Sequence, residues 1–139
     1  MPLKAYMDFT SFKLFLLDIG LLGALSDLDE QSILEENDIF VEFKGALTEQ
    51  FVLQELIAET DYTPWYFGTD SQHFEMDFMI QKQKMIVPIE VKAGKNTQSR
   101  SMKAFCEKYQ PDYAVRFSML DYEEQNYLTN LPLYAVCNI

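Results

Sequence analysis

The fold is decided by one run of sequence: Phe74-Glu75-Met76-Asp77-Phe78-Met79-Ile80-Gln81, then Lys82-Gln83, then Lys84-Met85-Ile86-Val87-Pro88-Ile89-Glu90-Val91 with Lys92 next. Two apolar-rich segments of strand length flank a short polar break, which predicts an antiparallel hairpin turning around Lys82-Gln83. Upstream, Leu47, Phe51, Val52, Leu56 and Ile57 recur at helical spacing, so Ala46–Glu59 reads as a helix with one buried face. Asp61 to Pro64 breaks it, and Trp65-Tyr66-Phe67 reads as a short aromatic strand. Downstream, Thr97–Tyr109 reads as a helix stopped before Pro111, with strands over Tyr113–Ser118 and Leu133–Val136. Helix, three strands, helix, strand, and one more short strand predict an α/β fold: a mixed central sheet flanked by helices.

The N-terminal stretch, residues 1–44, is read as an extension packed on the 45–139 core within a single domain. In it Phe12–Leu17 is expected to form a strand and Ile19–Leu28 a helix, followed by an acidic helix and loop from Asp27 to Glu42. At 139 residues the chain has the size of one ordinary domain, and 48% apolar with 14% aromatic content argues against disorder. The longest apolar stretch, Phe15–Leu25, contains Asp18 and is about half a membrane span, so no membrane partner is expected. No signal-peptide layout opens the chain, and Cys106 and Cys137 form no spaced framework. A cytoplasmic protein with reduced thiols is the expectation; self-association is left open.

Within the hairpin, Glu90 and Lys92 share one face while Ile89 and Val91 share the other. With the turn centred between Lys82 and Gln83, Glu75 falls opposite Glu90 and Asp77 opposite Pro88, leaving Asp77 a diagonal neighbour of Glu90. Carboxylates converging from adjacent strands can hold a hard divalent cation, and Mg²⁺ suits one or two carboxylates plus water. A nearby ammonium would steady charge growing on a phosphate. On spacing alone, a surface salt bridge on a half-exposed sheet explains the same residues.

Asp77, twelve intervening residues, then Glu90-Val91-Lys92 resembles the D…(D/E)-x-K signature of the PD-(D/E)XK nuclease superfamily, and the element order resembles its restriction-endonuclease-like core. Nearly the whole chain is similar to the C-terminal domain of unknown function attached to many prokaryotic AAA-type ATP-binding proteins. Five blocks carry that likeness: Phe12 to Leu22, Gly45 to Val52, Glu75 to Phe78, Pro88 to Gly94, and Leu128 to Ala135. The resemblance implies that Asp77 and Glu90 ligate Mg²⁺ or Mn²⁺ with the backbone carbonyl of Val91. It further implies that Lys92 assists the attacking water and that Glu49 matches the superfamily's extra acid. The expected activity is metal-dependent hydrolysis of phosphodiesters in DNA. The alternative is a catalytically inactive domain that binds DNA or regulates an ATPase. Relatives carry an ATPase module ahead of this domain, whereas this chain has no G-x-x-x-x-G-K-[ST] loop, which leaves a fragment or excised domain as the expectation.

The formal net charge of −11 opposes polyanion binding by the molecule as a whole. The segment from Lys82 to Arg116 reverses this locally, with eight of the eleven basic residues against three acids. Lys95, Arg100 and Lys103 follow the carboxylates directly and are the expected phosphate contacts, near a helix N-terminus; a solvated helix face explains them equally well. His73, the single histidine, lacks a partner acid at diagnostic spacing and is read as incidental. Cys106 is read as a small core residue rather than a nucleophile.

Overall fold

The computed structural model describes residues 2–26, 38–68, 75–94 and 96–139, with side chains of the long helix described from residue 43. Its elements are α1 (Ile19–Leu25), α2 (Asp38–Glu59), β1 (Trp65–Gly68), β2 (Glu75–Lys82), β3 (Met85–Lys92), α3 (Arg100–Tyr109), β4 (Ala114–Ser118), β5 (Glu123–Gln125) and β6 (Leu128–Pro132). Short 3₁₀ turns cover Leu3–Tyr6 and Leu133–Asn138. The six strands form one mixed sheet in the order β1-β2-β3-β4-β6-β5. The β1–β2, β2–β3 and β5–β6 pairs are antiparallel, whereas β3–β4 and β4–β6 are parallel.

Alternation along the strands builds two cores. Phe78, Ile80, Val87, Ile89, Val91, Val115 and Phe117 face α2, whose Val52 and Leu56 are fully buried against them. On the other face α3 presents Met102, Phe105 and Cys106 to Met76, Met79 and Ala114. The α3 ends are locally encoded. Ser99 caps the start by accepting from the Met102 amide at 3.0 Å, and Gln110 closes the end in a left-handed conformation (φ 48°).

The expected α/β class and mixed, helix-flanked sheet are present. Several local expectations are corrected. Phe12–Leu17 forms no strand and joins no sheet among the described residues. Instead the buried Gln50 side chain of α2 accepts from the Leu16 amide and donates to the Leu16 carbonyl, both at 2.9 Å. Leu133–Val136 is a 3₁₀ turn, and the strand precedes it as β6, with the small β5 beside it. The helix read from Ala46 begins by Asp38, and the one read from Thr97 begins at Arg100. The expected Ile19–Leu28 helix is described as far as Leu25, and the acidic segment through residue 37 lies outside the described residues.

The hairpin turn centres on Gln83-Lys84, one residue later than expected, so the register moves by two. Met79, not Asp77, lies opposite Pro88, and the paired register runs from Phe78–Ile89 to Lys82–Met85. A shift of two keeps every side chain on its face. Gln83 takes the left-handed conformation the turn needs (φ 57°), and its carbonyl accepts from the Gln81 side chain at 3.1 Å.

Candidate functional site

A bulge in β2 sets the geometry of the acidic residues. Trp65 pairs with Met79 and Phe67 with Met76, so Asp77 and Phe78 together oppose the single residue Tyr66. Met76 and Met79 consequently share the α3-side core, and Asp77 is released from strict alternation. Its carboxylate meets the other strand of the hairpin and the N-terminal segment. Oδ2 accepts from the Val91 amide at 2.7 Å, and Oδ1 lies 3.7 Å from Lys13 Nζ. Lys13 also reaches Glu49 Oε2 on α2 at 3.2 Å and sits 5.1 Å from the Tyr66 ring centroid.

Glu90 and Lys92 project from β3 toward the α3 side and pair with each other. Glu90 is buried (5% exposed), a costly place for a carboxylate without a cation beside it. The expected residues therefore form two adjoining pairs, Glu49 with Asp77 around Lys13, and Glu90 with Lys92. Asp77 feels both. Burial raises its carboxyl to about 6, the Val91 amide opposes this, Glu49 and Glu90 add to the rise, and Lys13 draws it back. For Lys13, burial disfavours the charge, but Glu49 and Asp77 override it and leave the ammonium above its ordinary pKa.

Among the described residues no three His, Cys, Asp or Glu side chains gather into a metal cage. The donor chemistry still fits a hard cation, since Mg²⁺ needs only one or two carboxylates with a carbonyl and water. Asp77, whose proton affinity is high because negative charge crowds a buried place, is such a donor.

Residues 44–136, about two thirds of the chain, match the domain of unknown function DUF4143. The chain belongs to the DUF4143 family. No curated protein and no solved structure matches the chain. The match to DUF4143 spans Glu49, Asp77, Glu90 and Lys92 and leaves Lys13 outside it.

Of the expected phosphate contacts, Arg100 and Lys103 lie exposed on the first turn of α3, and Lys95 lies outside the described residues, as does His73. Cys106 is buried with its Sγ 3.6 Å from Met102 Sδ, and burial raises its thiol to about 11, so it packs as core. In the DUF4143 domain sequence reasoning missed a polar row crossing the sheet. Glu90 pairs in register with Arg116, Arg116 with Asn130, and Asn130 with Glu123. Arg116 and Asn130 are 8% and 1% exposed. The signal was in the sequence: Arg116 stands between the apolar residues Val115 and Phe117. Lys13 was missed too, because an extended segment hides which α2 residue its side chain meets.

Proposed function

We propose that this DUF4143 domain has a PD-(D/E)XK nuclease-like core in which Asp77, Glu90 and the Val91 carbonyl hold Mg²⁺, serving phosphodiester hydrolysis of DNA. The observation that carries the reading is the bond from the Val91 amide to Asp77 Oδ2, which ties the aspartate to the Glu90-Val91-Lys92 strand. Asp77 and Glu90 supply the charged oxygens, and Val91, anchored through its amide, has its carbonyl fixed in direction. Lys92 holds Glu90 in place and offers an ammonium for charge developing on the phosphate. Mg²⁺, when bound, would supply Lewis-acid polarisation of the phosphate and a lowered pKa for water. Glu49 shares the load of negative charge around Asp77 from the α2 side.

A second reading is favoured by Lys13. Its ammonium already neutralises the Glu49–Asp77 pair, as expected of an inactive domain kept for DNA binding or for regulating an ATPase partner. Calorimetric titration with Mn²⁺ separates the two. The nuclease reading expects saturable binding by the wild type that Asp77→Ala abolishes. Equal heats for the two proteins would reject it in favour of the regulatory reading.

A further inference from the structure

A cavity of about 480 Å³ opens between the first turn of α3 and strands β3, β4 and β6, on the face of the sheet away from Lys13 and Glu49. Arg116 forms part of its wall from the middle of the sheet. Its Nε donates to Asn130 Oδ1 at 2.9 Å and its Nη1 to the Thr97 carbonyl at 3.0 Å. Both acceptors are neutral, and among the described residues no carboxylate forms an ion pair with this guanidinium. Burial lowers its pKa, opposed only by Glu123 and Glu90 acting without contact. Glu90 borders the same cavity but is paired with Lys92. A buried cation held by neutral acceptors leaves its charge uncompensated, which an anion in the cavity would offset.

The rest of the cavity suits a tetrahedral oxyanion. Arg100 and Lys103 stand exposed at its mouth. The amides of Arg100 and Ser101, first in a ten-residue helix, have no helical acceptor. Planar guanidinium groups match phosphate oxygens two at a time.

We propose that this cavity is a phosphate-binding site, with Arg116 as its buried anchor and Arg100 and Lys103 as its exposed clamp. The inference rests on the nuclease-like reading only for what carries the phosphate; the recognition chemistry is the same for a nucleic-acid backbone and for free phosphate.

The test is calorimetric titration of the full chain, at constant ionic strength and without divalent metal, with inorganic phosphate and separately with a short single-stranded oligodeoxynucleotide. Saturable binding should weaken about tenfold or more in Arg100→Ala/Lys103→Ala, the scale of a lost charge-assisted hydrogen bond. Arg116→Lys, which keeps the charge and loses the fork, should weaken it similarly; if that variant does not fold, the surface double variant carries the test alone. Tighter binding of the oligonucleotide through these residues assigns the carrier as nucleic acid. Binding of phosphate alone assigns free phosphate, and either result supports the site. No binding of either probe, or binding at full strength in the surface double variant, overturns it. Asp77→Ala should bind phosphate as the wild type does, so failure of the metal reading and failure of this site are told apart.

Discussion

Asp77 sits where burial, a main-chain bond and two like charges compete, and its ionisation is coupled to folding. Its carboxyl is raised from 3.8 to about 6 in the folded state, so the folded protein holds this proton more tightly than the unfolded chain. The resulting stabilisation is complete below the unfolded value and is lost as pH rises through about 6. The groups facing it are Glu49 on α2, Lys13 on the N-terminal segment and Glu90 on β3. Asp77→Asn removes the titration while keeping an oxygen for the Val91 amide. Denaturant unfolding of both proteins from pH 4 to 7 should therefore show the variant gaining on wild type with rising pH, by about 1–3 kcal/mol at the upper end. Parallel stability curves would mean that Asp77 is not perturbed. At this scale the sequence was partly legible. Asp77, Glu90 and Lys92 could be picked out by spacing, but the bulge that turns Asp77 toward Glu49 depends on β1, whose pairing no local pattern specifies.

Among the elements, turn chemistry explains both a misread and an opportunity. The sequence alone centres the hairpin on Lys82-Gln83, because nothing in Lys82-Gln83-Lys84 announces which residue takes the left-handed conformation. Gln83 does, at φ 57°, without the glycine that would adopt it freely. Gln83→Gly should stabilise the domain by about 0.5–1 kcal/mol in denaturant melts, since the Gln81 side chain bonds to the main-chain carbonyl that glycine retains. A loss of stability would show that the Gln83 side chain itself matters. Phe12–Leu17 was misread for a different reason. Its apolar residues favour extended backbone, but a strand exists only where another strand supplies a ladder, and here Gln50 supplies the partner groups instead. β5 escaped notice because Glu123-Glu124-Gln125 is exposed and has no alternation. The buried face of α2 was readable in part from periodicity: Val52 and Leu56 are buried as the spacing required, whereas Ile57, expected on the same face, is 62% exposed.

Across the whole molecule, apolar side chains play two unequal parts. Phe117, on the central strand β4, is fully buried among residues from both ends of the chain, while Leu14 is 87% exposed. Phe117→Ala should lower unfolding free energy by about 3–5 kcal/mol, and Leu14→Ala should change it by less than about 0.5 kcal/mol. Comparable losses would mean that Leu14 is covered in solution. The sheet itself divides in character, with antiparallel hairpins at both edges and a parallel centre of β3, β4 and β6. That centre lays Glu90, Arg116 and Asn130 side by side, although they are far apart in sequence. The order of helix and strand patterns announced the α/β class, but only the crossovers could assemble this row.

The clasp between Gln50 and Leu16 gives the chain an unusual kind of joint. One amide side chain does for a single residue what a neighbouring strand does for several, and Gln54 adds a second grip on the Ile19 amide at 3.1 Å. A ladder opens cooperatively, rung upon rung, whereas this fastening depends on the rotamers of two glutamines beside the Lys13 ion pairs and the Phe15–Phe78 contact. The segment that delivers Lys13 to Glu49 and Asp77 is thus held by a few discrete contacts, and its Leu16 amide should exchange with solvent at a lower opening free energy than the amides of the sheet beneath.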